Sequence, residues 1–181
     1  PGLAFASVSE KARELMVKSN LPKFYFSFQK ALKSLEKTDT PFTSAVSLIF
    51  GFRESIRLIR AEGLENVIGR HSRLARATRA AVDALELDLF SKAPSNVATA
   101  AQMPAGIDAD VLRKRLTGRF GISVAGGQAQ LKGKIVRIAH LGYCVDSDIL
   151  TVVSSLEMIL GEMGVRIQPG TAAAAAERVL I

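Results

Sequence analysis

Apolar positions recur with the period of an α-helix over most of this chain. The spacing predicts seven helices, at residues 10–18, about 24–37, 44–61, 64–85, 108–120, 146–163 and 172–181. Ser9 is a typical N-cap residue for the first of these helices. Gly63 stands between the third and fourth helices, and a glycine there predicts a break.

Short runs of apolar and β-branched residues predict five strands, at residues 3–8, 87–91, 97–103, 122–125 and 134–140. The part after Leu85 therefore has the order β-β-α-β-β-α. That order is typical of a small, mainly antiparallel sheet with helices on one face. We expect an α/β protein whose C-terminal part is a small α+β domain. The aromatic cluster at residues 24–28 is expected to lie in the core.

The composition is that of a folded protein. Of the 181 residues, 48% are hydrophobic and 23% are charged, which excludes intrinsically disordered and low-complexity classes. The single cysteine, Cys144, cannot form an internal disulfide and fits a reducing compartment. No apolar run reaches the roughly 18 residues of a membrane span, and no leader pattern opens the chain. We therefore expect a cytoplasmic protein with no membrane partner.

The formal net charge is +7, which is compatible with nucleic acid, an anionic membrane surface or small anionic ligands. The basic residues form two clusters, Arg70, Arg73, Arg76 and Arg79, and Arg113, Lys114 and Arg115. No aromatic residues interleave with them to stack on bases, so we interpret the first cluster as a solvated helix face. A non-enzymatic basic module that binds nucleic acid or a partner protein is the alternative.

Three other reactive side chains carry weaker signals. His71 has no second histidine or cysteine at ligand spacing, so a solvated residue is expected there and no metal site. His140 ends an apolar strand, where a half-buried structural histidine is more common than a catalytic one. Nothing near Cys144 in the sequence indicates a reactive thiolate.

Arg137 is the most informative charge because its neighbours in the run 135–139 are all apolar. Burying an unpaired guanidinium would cost several kcal/mol, so an anion should meet it. That anion is either an Asp or Glu of the protein or the carboxylate of a ligand, and the pattern alone does not distinguish them. Thr40, Thr43 and Ser44 precede a long helix, where they could bind a phosphate or simply cap the helix.

Taken together, five blocks of the sequence resemble the C-terminal part of the class V aminotransferases. These are fold type I pyridoxal-phosphate enzymes that include alanine–glyoxylate and serine–pyruvate aminotransferases. The chain is most similar to the bacterial branch labelled the soluble hydrogenase small, or tritium-exchange, subunit. The blocks are PGLAFASVSEKA at 1–12, TPFTSAVSLIFGFRES at 40–55, EGLENVIGRH at 62–71, GISVAGGQ at 121–128 and GKIVRIAHLGY at 133–143.

The resemblance assigns roles to three residues. Arg137 matches the arginine that holds the substrate α-carboxylate. Thr43 matches a threonine that contacts the phosphate of pyridoxal 5'-phosphate bound to the neighbouring subunit, which implies a homodimer. Thr40 occupies a position at which many relatives have a phosphate-contacting tyrosine. The implied reaction moves an amino group between a small, alanine- or serine-like amino acid and a glyoxylate- or pyruvate-like 2-oxo acid.

The resemblance also implies what surrounds the chain. Pro1-Gly2 matches a pair that follows the Schiff-base lysine of the family, so that lysine is expected upstream of Pro1. The chain alone is then expected to be inactive, with no catalytic residue of its own. A cleaved N-terminal chain of the same protein is a possible partner. Residues 1–63 would end the large cofactor-binding domain, and residues 64–181 would form the small domain.

Overall fold

A computed structural model describes residues 2–181 of the chain. The chain divides into two compact units, which meet in the sequence between Ala61 and Glu62. Pro1, the first residue of the Pro-Gly pair on which the expected lysine position rests, lies outside the described residues. Within residues 2–181, no helix combines the length and the apolar character that a membrane span requires.

The first unit is helical. It contains α1 (Glu10–Lys18), α2 (Phe28–Leu35) and α3 (Val46–Glu62), and α3 runs one residue past the unit boundary. Ser9 caps α1 as predicted, since its hydroxyl accepts a hydrogen bond from the Ala12 amide at 3.3 Å. These helices follow the predicted periodicity to within a few residues at α1 and α3, although none of the three buries a residue.

Two predictions for the first unit are wrong. Residues 3–8 form no strand, because no other extended segment of residues 2–181 pairs with them and a strand needs a partner for its backbone groups. The aromatic cluster lies at the surface rather than in the core, and Phe26 is 92% exposed. Tyr25 stacks on Phe42 with ring centroids 4.3 Å apart, so these rings pack on each other instead of on a core.

The second unit is a small α+β domain. Its elements are α4 (Leu64–Ala84), β1 (Ala98–Gln102), α5 (Ala109–Phe120), β2 (Ala125–Gly126), a 3₁₀ turn (Ala129–Leu131), β3 (Ile135–Ala139), α6 (Asp146–Glu162) and α7 (Thr171–Leu180). The three strands form one antiparallel sheet in the order β1-β3-β2. This confirms the predicted fold class. Only an isolated bridge between Leu89 and Ala101 forms in the predicted strand 87–91, and of the predicted strand 122–125 only Ala125 lies in the two-residue β2.

One face of the sheet belongs to the core, and the other is open around Arg137 and Ala139, although Ile135 at its end is buried. In register, Thr99 and Ala101 of β1 lie beside Ile138 and Val136 of β3, and all four are buried. The helices complete this core with buried apolar residues that include Leu74, Ala77, Val82, Leu112, Leu116, Ile149, Val153, Leu156 and Leu160. The open face is the face on which a ligand can approach the strands.

Candidate functional site

Arg137 lies on the open face, at the centre of the three strands. Its neighbours in register are Ala100 on β1 and Ala125 on β2, so no large side chain covers the guanidinium from either side. Nε donates a hydrogen bond to the Gly126 carbonyl at 3.0 Å. Within residues 2–181, Nη1 and Nη2 have no partner, and no carboxylate forms an ion pair with this residue.

The Arg137 side chain is exposed. Alternation along β3 places Ile135, Arg137 and Ala139 on one face, where Arg137 and Ala139 are exposed and Ile135 is buried, while Val136 and Ile138 enter the core. The alternative of a structural salt bridge to an Asp or Glu does not occur among the described residues. The result is a guanidinium fixed at Nε with two terminal nitrogens available to a planar anion, which is the geometry that binds a carboxylate bidentately.

The other predicted site residues lie in the loop that precedes α3. The Thr40 hydroxyl donates to the Phe42 carbonyl at 2.7 Å, and its amide is bonded to the Asp39 carboxylate. The Thr43 side chain is exposed and has no hydrogen-bond partner within residues 2–181. Within residues 2–181, no side chain accepts a hydrogen bond from the first amides of α3. The Val46 amide donates to the backbone carbonyl of Ser44 instead.

The simple capping interpretation of Thr43 and Ser44 is thus not observed. A free hydroxyl beside the uncapped N-terminus of a 17-residue helix is a donor set that suits a phosphate. An arginine with two free terminal nitrogens suits a carboxylate, and a helix start with free donors suits a phosphate. Arg137 of the second unit therefore fits the carboxylate of an amino acid, and Thr43 with the start of α3 in the first unit fits the phosphate of pyridoxal 5'-phosphate.

His140 is fully buried and has protein partners for both ring nitrogens. Nδ1 is 3.1 Å from the Asn96 carbonyl, which can only accept, so Nδ1 carries the proton and Nε2 accepts from the Thr99 hydroxyl at 2.9 Å. Burial is the main cause that lowers the pKa of His140 below its ordinary value. This geometry gives His140 a structural role.

His71 and Cys144 are also held by the fold. Nδ1 of His71 is 2.7 Å from the Val67 carbonyl one turn earlier on α4. The Cys144 thiol is half-buried, and burial, followed by the charge of Asp148, raises its pKa above the ordinary value. A raised pKa leaves little thiolate at neutral pH, which agrees with the absence of a sequence signal for a reactive cysteine.

Most of the arginines of α4 bind other groups of the protein, so they do not form the solvated face that the sequence predicted. Arg70 binds both carboxylate oxygens of Glu62, at 2.7 and 2.9 Å, and its Nη1 donates to the carbonyls of Gly142 and Cys144. Arg73 pairs with Asp146 at 2.8 Å, and Arg79 binds Asn96 at 3.1 Å. Guanidinium groups committed to carbonyls and carboxylates are not available for phosphates, and no observation favours the nucleic-acid alternative.

Two groups at and behind the strand next to Arg137 were not predicted. Gly126 supplies the carbonyl that orients its guanidinium. Arg113, considered above only as part of a basic cluster, donates from Nε to the Val124 carbonyl at 2.7 Å and from Nη1 to Asp110 at 3.0 Å. The only available signal was the pair Gly126-Gly127, which indicates a bend but not its partner.

Known proteins resemble this chain over nearly its whole length. The chain is 47% identical over 99% of its length to the soluble hydrogenase small subunit of a Synechococcus species. It is 36% identical, over 99% of its length, to a serine–glyoxylate aminotransferase of Arabidopsis thaliana. The ureidoglycine–glyoxylate aminotransferase of Bacillus subtilis has the same fold, with a TM-score of 0.86 and 31% identity over 94% of the chain.

By sequence and fold, the chain belongs with the class V aminotransferases. It spans about half the length of these proteins, 47% of the Synechococcus protein and 46% of each of the other two. The match is to their C-terminal part. No protein-family model matches the chain. The predicted resemblance, including the soluble hydrogenase branch, is confirmed.

Proposed function

We propose that this chain is the C-terminal part of a pyridoxal-phosphate-dependent aminotransferase, in which Arg137 binds the substrate carboxylate. The observation that carries the proposal is the open guanidinium of Arg137, oriented at Nε and unpaired at both terminal nitrogens within residues 2–181. A fork fixed in this way can hold a small acid in one orientation, which a flexible ammonium could not. Because the chain spans about half of its relatives, the activity is assigned to the whole protein.

The proposed substrates are a small amino acid and a 2-oxo acid. The two matched aminotransferases have different donors in their names, serine and ureidoglycine, and glyoxylate in common. Because the register neighbours of Arg137 are alanines, a substrate carboxylate can reach the guanidinium without meeting a long side chain from either strand. Glyoxylate is therefore the acceptor that we test first, with serine and alanine as donors.

Thr43 and the first turn of α3 are proposed to contact the cofactor phosphate. The free hydroxyl of Thr43 and the uncapped amides of α3 supply hydrogen-bond donors at the positive end of the helix dipole. Thr40 contributes less, because its hydroxyl already donates to Phe42. Pyridoxal phosphate, when bound, supplies the electron sink for chemistry at the substrate Cα. The whole protein is proposed to be a cytoplasmic homodimer, with Thr43 acting across the subunit interface.

The test is a direct assay of the whole protein. Purified protein loaded with pyridoxal phosphate should convert glyoxylate to glycine with serine or alanine as the donor, measured by chromatography of the amino acids. Thr43→Val should weaken retention of the cofactor, followed by its absorbance during dialysis, and Thr38→Val in the same loop is the matched control. A protein that binds no pyridoxal phosphate, or that transfers no amino group to any 2-oxo acid, would contradict the proposal.

A further inference from the structure

Within residues 2–181, the direction of the Arg137 guanidinium depends on a single hydrogen bond, from Nε to the Gly126 carbonyl at 3.0 Å. The side chain is otherwise exposed and lies between two alanines in register. A long side chain in solvent samples many rotamers, and bidentate binding of a carboxylate needs one of them. Whatever holds the Gly126 carbonyl in place therefore also holds the fork of Arg137.

Gly126 belongs to β2, the shortest strand of the sheet. β2 has only two residues, Ala125 and Gly126, and it pairs with β3 on one side only. So short an edge strand gains little from its own ladder and needs further contacts to keep its position. Those contacts come from α5, where Thr117 donates to the Ile122 carbonyl at 3.0 Å and Arg113 donates to the Val124 carbonyl at 2.7 Å.

Arg113 lies directly against the backbone of Gly126. A Cβ added at Gly126 would be 2.7 Å from Nη1 of Arg113 and 3.2 Å from the Asp110 carboxylate. Arg113 cannot easily move away, because Nε is bonded to Val124 and Nη1 to Asp110 at 3.0 Å. The absence of a side chain at Gly126 is what admits this guanidinium to the back of β2.

We propose that Arg113 is a positioning residue for Arg137: it fixes β2 through Val124 and Gly126, and the Gly126 carbonyl in turn orients the carboxylate-binding fork. Arg113 itself touches no substrate in this arrangement. The orientation of the Arg137 side chain depends only on the hydrogen bonds described above. Its consequence for substrate binding rests on the proposed function.

The geometric statement is tested in this 181-residue chain without cofactor or substrate. The Nε–H of Arg137, assigned from its loss in Arg137→Lys, is followed by NMR for its rate of exchange with water. In Arg113→Met the exchange rate should rise at least about fivefold, because the acceptor carbonyl is no longer held. Arg115→Met is the matched control, since Arg115 is an exposed arginine on the same helix with no side-chain hydrogen bond within residues 2–181.

The functional consequence is tested in the whole protein. Arg113→Met should raise KM for the 2-oxo acid about tenfold and change kcat by less than about threefold, because substrate binding is impaired more than the chemistry. Arg115→Met should leave both constants unchanged. Gly126→Ala keeps Arg113 but displaces its guanidinium, so it should raise KM to a similar extent. If Arg113→Met does not fold, Gly126→Ala replaces it in both the exchange experiment and the kinetic assay.

The outcomes separate this inference from the proposed function. Equal exchange rates in wild type, Arg113→Met and Gly126→Ala would overturn it, whatever the enzyme assay shows. Faster exchange with an unchanged KM would overturn the substrate-binding part. If Arg137→Ala also leaves KM unchanged, the proposed role of Arg137 fails, while the exchange experiment still decides how its side chain is held.

Discussion

The guanidinium of Arg137 places a full charge on an otherwise apolar strand, and its removal is the most direct test of the site. In the whole protein, Arg137→Ala should lower kcat/KM by about thirty-fold to several thousand-fold, since a lost charge-assisted pair costs about 2 to 5 kcal/mol. Most of the loss should appear as a raised KM. Arg137→Lys should recover part of the affinity, because a point charge cannot reproduce the fork. Steady-state kinetics with glyoxylate measures both effects.

The same substitution should leave the fold intact. The Arg137 side chain is exposed and makes one hydrogen bond within residues 2–181, so the free energy of unfolding should change by no more than about 1 kcal/mol. Cofactor absorbance should also be retained. Arg115→Ala provides the control for loss of an exposed charge. A variant that unfolds, with normal kinetics in its folded fraction, would show that Arg137 is structural instead.

His140 predicts a pH dependence of stability. Its pKa in the folded protein lies below the ordinary value of 6.5, chiefly because of burial, so the unfolded chain binds a proton that the folded chain resists. Stability should be full above pH 6.5 and should decrease as the pH falls from there through the lower folded pKa, by at most about 1.4 kcal/mol per pH unit. Urea denaturation between pH 5 and pH 7.5 measures this slope. His140→Gln, which cannot titrate, should flatten it, and an equal slope in both proteins would contradict the assignment.

At the scale of the elements, α7 depends on a side chain from another helix. Its first residues follow Gly170 and have no local cap, but the buried Glu157 of α6 accepts hydrogen bonds from the amides of Gly170 at 2.5 Å and Ala172 at 2.7 Å. Glu157→Ala should lower the free energy of unfolding by about 1 to 3 kcal/mol, since it leaves the Gly170 amide and the buried Ala172 amide without acceptors. Urea denaturation measures the loss.

Hydrogen exchange locates the effect of Glu157. In Glu157→Ala the amides of the first turn of α7 should exchange faster than those in the middle of α4. The exposed Glu177 on α7 has no side-chain hydrogen bond within residues 2–181, and Glu177→Ala should change neither measurement. Equal losses from the two substitutions would mean that Glu157 acts through overall charge rather than as a cap.

The elements also show what sequence can predict. The spacing of Leu74, Ala77 and Leu112 depends only on local periodicity, so α4 and α5 lie within two residues of their predicted bounds. A strand depends on a partner elsewhere in the chain, and this is why residues 3–8 and 87–91 were wrongly predicted. The sequence was enough to place Arg137 on a strand and to single it out as an unusual charge. Its open surroundings and its contact with Gly126 depend on the pairing of β2 with β3, which the sequence does not show.

At the scale of the whole molecule, burial is distributed unequally between the two units. Within residues 2–61 no apolar side chain is buried, and Ser27 is the one buried residue. The buried apolar residues lie between Leu74 and Ala176, so the hydrophobic core described above belongs to the second unit alone. Because burial of apolar surface is the dominant favourable term in folding, the two units should differ sharply in intrinsic stability.

We therefore expect residues 62–181, expressed alone, to fold cooperatively. The segment keeps the sheet, α4 to α7 and the Glu62–Arg70 pair, so its free energy of unfolding should lie within about 1 kcal/mol of that of the main transition of the full chain. Residues 2–61 alone should show no cooperative transition, since they have no apolar core to lose. Urea denaturation followed by circular dichroism measures all three chains. If residues 62–181 unfold without a sigmoidal transition while the full chain retains one, the expectation that the second unit folds on its own is wrong.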